Sequence, residues 1–251
     1  MNKIIPLILA FILASSCSFN TPLKFKKVSF TNNDLEQCLS VNCPNINIQY
    51  LKTTGKDIKS NKVNQHIENI IINKIISVEE EKSSISEIND AIQFFINLFK
   101  KNKSEFGDTF LSYDIDTFME VSYQSETFVS TELIYYVYTG GAHGYSGKKF
   151  INFNAKTGEL LTNETIFKNL EELKKLCENN FREVYKIPTD RSINATGFWF
   201  ENDVFHLPET VGFTNTEMIL HYNQYEIASY AEGPIILTIP IDEVKQYLKY
   251  Y

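Results

Sequence analysis

The stretch from Met218 to Gly233, MILHYNQYEIASYAEG, gathers side chains well suited to contacting a ligand. Tyrosine combines a large apolar ring with a hydroxyl group, which suits both sugar stacking and protein interfaces. The candidate binding residues in this stretch are Tyr222, Tyr225, Glu226 and Tyr230. For any single tyrosine the alternative is a ring in the core whose hydroxyl bonds the backbone, and that alternative is favoured.

A glycine-rich loop, GGAHGYSG at 140–147, holds four of the ten glycines. Such loops bind phosphate where a helix N-terminus follows directly, but here the strand-like KKFINFN follows. The spacing therefore excludes a nucleotide site. Two interpretations remain: a tight loop that joins two strands, which is favoured, or a loop that presents His143 and Tyr145 to a ligand.

Catalytic and metal-binding signatures are not found in the sequence. The four histidines lack the spacing of a metal site, and no nucleophile elbow or catalytic cysteine motif occurs. Carboxylates could pair as in a glycosidase, but they are too abundant to discriminate; the candidates are Glu201, Asp203, Glu226 and Glu232. We therefore expect no catalytic residue, no metal and no cofactor.

Residues 1–17, MNKIIPLILAFILASSC, have the layout of a secretory signal peptide. Lys3 precedes an apolar run that is shorter than the roughly 20 residues needed to span a bilayer. Small residues and then Cys17 are typical of a bacterial lipobox, in which the cysteine is acylated after cleavage and anchors the protein. The alternative is an ordinary signal peptide cleaved near Ser18. We expect a lipoprotein of the cell envelope, facing the periplasm or on the outer membrane, that contacts the membrane through its lipid only.

The expected export of the protein bears on the state of its cysteines. Cys38 and Cys43 have four residues between them, and an oxidising compartment favours a disulfide that closes this small loop. A zinc site would need two further ligands nearby, and the sequence has none there. Cys177 lies on the apolar face of a helical pattern, which predicts a buried free thiol.

Composition sets wider limits on function. The chain has 251 residues, of which 43% are hydrophobic, and its formal charge is -7. This length and hydrophobic fraction are enough for a large core, and they exclude a chain that is disordered throughout. An acidic chain lacks the basic face of a general nucleic-acid binder, so no nucleic-acid partner is expected.

Hydrophobic periodicity predicts the elements that must position these residues. Long helices are predicted at 60–76, from Ser84 onward and at 170–185, with a short helix at 241–250. Strands are predicted at 45–50, 111–124, 127–138, 148–154, 208–213, 218–222 and 235–239, and a hairpin turn at 154–158. This grouping favours an α+β fold with a largely antiparallel sheet packed with three long helices and a short C-terminal helix.

Two blocks of the sequence resemble known families. GFTNTEMILHYNQYEIASYAEGPIILTIPIDEVKQYL at 212–248 is similar to the RsiV-like domain family, on its run Y-N-x-Y-E-I-A-x-Y-A-x-G and the x-I-P strand that follows. YYVYTGGAHGYSGKKFINFNAKTGELL at 135–161 resembles the junction between a PdaC-type domain and that family. The resemblance divides the chain into a signal peptide at 1–16, a tether at 17–42, a PdaC-type domain at 43–145 and an RsiV-like domain at 146–251, the last two packed as one unit.

The resemblance implies an extracytoplasmic module with a binding function. In some relatives the module is the lysozyme receptor of a transmembrane anti-sigma factor, and in others a PdaC-type region accompanies a peptidoglycan deacetylase domain. The sequence contains neither an anti-sigma segment nor deacetylase metal motifs. The implied function is therefore a lipid-anchored protein that binds a lysozyme-like hydrolase or a peptidoglycan fragment. The alternatives are a peptidoglycan hydrolase with an unrecognised site and a structural envelope lipoprotein.

Overall fold

The computed structural model describes residues 22–39, 42–76, 85–107 and 112–250. The expected signal peptide and the acylated Cys17 lie outside these residues. No helix within the described ranges is long and apolar enough to cross a membrane.

The first part of the chain builds a six-stranded sheet in the order β1-β2-β3-β4-β5-β6. Its strands are β1 (Phe25–Thr31), β2 (Asn45–Thr53), β3 (Asp114–Gln124), β4 (Phe128–Tyr138), β5 (Tyr145–Asn154) and β6 (Leu160–Leu161). All neighbours are antiparallel except β2 and β3, which are parallel. A parallel pair needs a long crossover connection, and two helices supply it here.

These two helices, α1 (Ile58–Ile75) and α2 (Ile88–Phe106), cover one face of the sheet. Along α1 the buried residues Val63, Ile67, Ile71 and Ile75 recur every four positions and so share one side of the helix. The side chain of Asp57 caps α1 by accepting a hydrogen bond from the Ser60 backbone N–H. The predicted start of the second helix at Ser84 is wrong, because α2 begins at Ile88.

The expected tether at 17–42 is also wrong in part, because Phe25–Thr31 forms strand β1 at the edge of the sheet. Its sequence, FKKVSFT, does not predict a strand, because its apolar residues do not alternate strictly with polar ones. Cys38 and Cys43 follow in a short loop and are joined in a disulfide.

The second part of the chain forms a smaller unit around a three-stranded antiparallel sheet. Its elements are α3 (Asn163–Ile166), α4 (Leu170–Val184), β7 (Val211–Phe213), β8 (Glu217–Tyr222), β9 (Ile235–Pro240) and α5 (Ile241–Val244). The predicted 208–213 strand begins only at Val211, and the predicted final helix turns into a 3-10 helix at Lys245. The α+β class and the mainly antiparallel sheet are confirmed.

The smaller unit docks onto β5 through hydrogen bonds to the strand. The Asn223 side chain accepts a bond from the Lys148 N–H at 2.7 Å and donates one to the Lys148 carbonyl at 3.0 Å. The Asn152 side chain donates to the Val211 carbonyl at 2.9 Å. The boundary expected at residue 146 falls at the start of β5, which belongs to the six-stranded sheet. This docking brings the glycine-rich loop next to the 218–233 segment.

The structure makes a specific prediction for the thiols. Cys177 is buried and free, and burial raises the pKa of its thiol to about 12, so both access and thiolate formation are suppressed. With Cys38 and Cys43 paired, labelling without reductant should find no reactive thiol in the folded mature protein and one thiol after denaturation. Three labelled thiols in denaturant, counted by mass spectrometry, would contradict this assignment.

Candidate functional site: a groove at the edge of β5

A groove of about 480 Å³ lies where residues 208–226 meet the edge of β5. This volume is in the range of small-ligand pockets in proteins. The side chains around it are mostly polar, with two exposed tyrosines. The lining consists of Lys74, Tyr135, Tyr145, Lys148, Lys149, Pro208, Glu209, Thr210, His221, Asn223, Gln224, Tyr225 and Glu226.

A row of aromatic rings, His143–Tyr230–Tyr225, runs along the rim of the groove. The His143 ring stacks on Tyr230 at a centroid distance of 4.6 Å, and Tyr230 lies 5.5 Å from Tyr225. Tyr145 enters the groove from the start of β5, with its ring 6.0 Å from that of Tyr135. The structure therefore brings together five of the six binding residues that the sequence suggested, the fifth being Glu226. Exposed fractions of 55% for Tyr225 and 40% for Tyr145 leave ring surface for a ligand.

Tyr225 occupies an unusual backbone conformation. Its φ of 68° lies in the left-handed region, which disfavours residues with a Cβ atom. Such strain persists only where the surrounding structure enforces it, and it is frequent at functional sites. The turn thus holds the Tyr225 ring outward at a cost in stability.

Tyr222 does not belong to this surface, and its assignment as a binding residue is wrong. The side chain is fully buried, and its hydroxyl donates a hydrogen bond to the His206 carbonyl at 2.7 Å. Its ring packs edge-on against Phe181 and Phe200, and burial holds the pKa of its hydroxyl well above the usual value. Tyr222 follows the alternation of β8, whose inward side faces the second core.

Charged side chains of both signs enter the groove. Lys149 forms an ion pair with Glu209 at 2.6 Å, and Lys148 pairs with Glu132. The Glu226 carboxylate accepts a hydrogen bond from the Asn223 backbone N–H at 2.9 Å. Burial raises the pKa of Glu226, although the backbone hydrogen bonds act in the opposite direction.

His221 is one of the groove residues that the sequence did not suggest as binding groups. It is only 8% exposed, and its Nδ1 atom has no hydrogen-bond partner among the described residues. Burial, assisted by the neighbouring Lys148, lowers the pKa of the imidazole to about 4, so the ring is neutral at neutral pH. No sequence signal could have found this atom, because its surroundings depend on how the two units dock.

The other carboxylates considered from the sequence lie elsewhere or have structural roles. Asp203 accepts hydrogen bonds from Ser192 at 2.6 Å and from the Asn194 side chain at 2.7 Å, and so fixes a loop. Among the described residues no group of three or more His, Cys, Asp or Glu is arranged to hold a metal ion.

Fold and groove together define an α+β protein of two docked units with a ligand-sized site at their junction. Residues 38–146 match the family model described as Deacetylase PdaC, and residues 159–242 match DUF3298, a protein family of unknown function. The chain therefore contains a PdaC domain followed by a DUF3298 domain. The predicted PdaC-type region is confirmed, whereas the RsiV-like assignment with its lysozyme binding remains a prediction.

Solved structures show the same fold. A DUF3298 family member from Bacteroides fragilis is 18% identical with a TM-score of 0.66, and the match covers 90% of this chain and 93% of that one. A DUF3298 family protein from Pseudomonas aeruginosa is 20% identical with a TM-score of 0.57, and the match covers 92% and 96%. No curated protein matches the sequence.

Proposed function

We propose that this protein is a lipid-anchored protein of the bacterial cell envelope that binds peptidoglycan in the groove beside β5 and catalyses no reaction. The main support is the convergence of the glycine-rich loop and the 218–233 segment on one groove. Exposed tyrosine rings there stand beside amide and charged side chains, which can bond the hydroxyl and amide groups of a sugar chain.

The size of the groove is compatible with a glycan ligand. A volume of about 480 Å³ can hold a small fragment of a sugar chain. A lysozyme-like hydrolase is the partner that the family resemblance implies. An acidic chain would attract such a basic protein through long-range charge, mainly by raising the association rate.

Cosedimentation with purified peptidoglycan sacculi tests the proposal. The mature protein should sediment with sacculi and remain in the supernatant without them, and analysis of the sacculi by chromatography should find no released or deacetylated fragment. If immobilised lysozyme captures the protein and sacculi do not, the ligand is a lysozyme-like protein and not peptidoglycan. Release of fragments would show that the protein is an enzyme, and failure to bind either ligand would leave a structural role.

The lipid anchor yields a prediction that is independent of the ligand. Because Cys17 follows the small residues Ala14, Ser15 and Ser16, the Cys17→Ala variant should lose acylation and leave the membrane fraction. Cell fractionation and intact mass measure both effects, and Cys177→Ala is the matched control that should stay membrane-bound. Unchanged mass and fractionation of Cys17→Ala would exclude the lipobox assignment.

A further inference from the structure

The chain between the expected lipid and the folded protein is short. Strand β1 begins at Phe25, and the Lys24 carbonyl already accepts a hydrogen bond from the Thr54 N–H at 2.8 Å. Five residue steps separate Cys17 from Pro22, where the described residues begin, and a fully extended chain covers about 18 Å over that length. A lipid on Cys17 would therefore hold this end of the six-stranded sheet within about 18 Å of the bilayer.

Four segments meet at this end of the sheet, which we call the anchor end. They are residues 22–26, 54–62, 125–127 and 155–160. The Gln124 side chain donates a hydrogen bond to the Leu23 carbonyl at 2.7 Å, and a backbone hydrogen bond joins 155–160 to 125–127. Gly158 packs so closely on the start of α1 that a Cβ atom there would collide with the Lys59 carbonyl. These contacts hold the four segments side by side.

The anchor end is positively charged, although the chain as a whole has a formal charge of -7. Its segments carry six lysines and three carboxylates, namely Lys24, Lys26, Lys56, Lys59, Lys62 and Lys156 with Asp57, Glu126 and Glu159. Asp57 caps α1, and Glu159 forms an ion pair with Lys62 at 3.4 Å. An anionic phospholipid surface attracts such a group of lysines when they lie within about a Debye length of it.

An exposed isoleucine lies among these lysines. Ile58 is the first residue of α1 and is 78% exposed, the highest value among the large hydrophobic side chains that the structure describes. Peripheral proteins that bind at the bilayer interface combine apolar side chains with lysines around them. The end of the sheet nearest the expected lipid therefore presents both parts of an interfacial contact.

We propose that the anchor end docks on an anionic phospholipid surface, with its lysines at the headgroups and Ile58 at the boundary with the acyl chains. The inference rests on the lipid anchor of the proposed function and adds the orientation of the protein. Tyr145 of the groove lies nine residues from Asn154 along β5, a distance of about 30 Å. Docking by the anchor end directs the glycine-rich loop and the groove away from the bilayer.

Cosedimentation of the mature chain without its lipid, residues 18–251, tests this surface independently of the anchor. Vesicles of phosphatidylcholine with phosphatidylglycerol should bind the chain about tenfold or more tightly than vesicles of phosphatidylcholine alone, and added salt should weaken the binding. Circular dichroism checks that the lipid-free chain is folded. Equal affinity for both kinds of vesicle, or no binding to either, would overturn the inference.

Charge variants test the lysines. The double variant Lys24→Gln with Lys56→Gln removes two exposed lysines of the anchor end, so binding to the anionic vesicles should weaken about tenfold. The matched control is Lys100→Gln with Lys101→Gln, which removes two exposed lysines of α2 and should weaken binding less. An equal loss in the two double variants would show that only the overall charge matters, and the proposed surface would be wrong.

Ile58→Ser tests the apolar part of the contact. Binding to the anionic vesicles should weaken about tenfold, whereas Val204→Ser, at a side chain that is 62% exposed in the smaller unit, should bind as the wild type does. Unchanged binding of Ile58→Ser would remove the isoleucine from the contact and overturn the inference as stated.

The lipidated protein in the same vesicles tests the orientation. Acetylation of Lys24 and Lys56, measured by mass spectrometry, should be several times slower on anionic vesicles than on neutral ones, and that of Lys100 should not change. Equal rates on both vesicles would overturn the inference alone. Because salt weakens docking, salt-washed membranes should still release Cys17→Ala, and its retention there would count against the lipid anchor of the proposed function.

Discussion

Replacement of Phe181 by alanine should lower the free energy of unfolding by about 3–5 kcal/mol. The ring is fully buried in the smaller unit, where five aromatic rings surround it at centroid distances from 4.5 to 6.2 Å. These rings belong to Tyr185, Phe198, Phe200, Phe205 and Tyr222. Truncation removes apolar burial and leaves a cavity that such rigid neighbours cannot fill by small movements.

Urea unfolding followed by circular dichroism measures this loss, with Phe106→Ala as the matched control. Phe106 is 57% exposed at the end of α2, so the same substitution there should change stability by no more than about 0.5 kcal/mol. A loss below about 1 kcal/mol for Phe181→Ala would show that this aromatic cluster does not form the core of the unit.

Removal of the Tyr225 ring should weaken peptidoglycan binding roughly thirtyfold, because truncating an aromatic anchor costs on the order of 2 kcal/mol. Tyr225 is more than half exposed at the groove and lies beside Tyr230 in the aromatic row. The same loss should follow whether the replacement is alanine or glycine. Calorimetric titration with soluble muropeptides measures the affinities, and Phe106→Ala should bind as the wild type does.

The two Tyr225 variants should differ in stability. At φ 68° alanine keeps a Cβ atom in the left-handed region, whereas glycine adopts that conformation freely. Tyr225→Gly should therefore be more stable than Tyr225→Ala by about 1 kcal/mol. Equal stability would contradict the assignment of backbone strain, and unchanged affinity in both folded variants would remove Tyr225 from the site.

The sequence predicted most of the fold because the main elements carry strong local patterns. The four-residue repeat of isoleucine and valine in α1 and the β-branched and aromatic runs of β3 and β4 follow directly from how helices and strands bury one side. Strand β1 was missed because an edge strand is only half covered and its apolar spacing is irregular. The position of β1 in the sheet depends on its pairing with β2, and the paired residues are distant in sequence.

The candidate site was predictable only in part. Motif resemblance and residue type selected His143, Tyr145, Tyr225, Glu226 and Tyr230, which the structure gathers around one groove. Residue type alone could not separate Tyr222 from its neighbours, since its burial follows from the side of β8 on which it lies. Lys149 and His221 enter the site only because the smaller unit docks on β5, and no local pattern encodes that docking.

Calorimetric titration of the wild-type mature protein with soluble muropeptides tests the central claim most directly. The account predicts saturable binding with one site per chain, weakened roughly thirtyfold in Tyr225→Ala and unaltered in Phe106→Ala. Absence of heat on titration, together with a properly folded protein by circular dichroism, would contradict the assignment of the groove as a peptidoglycan site.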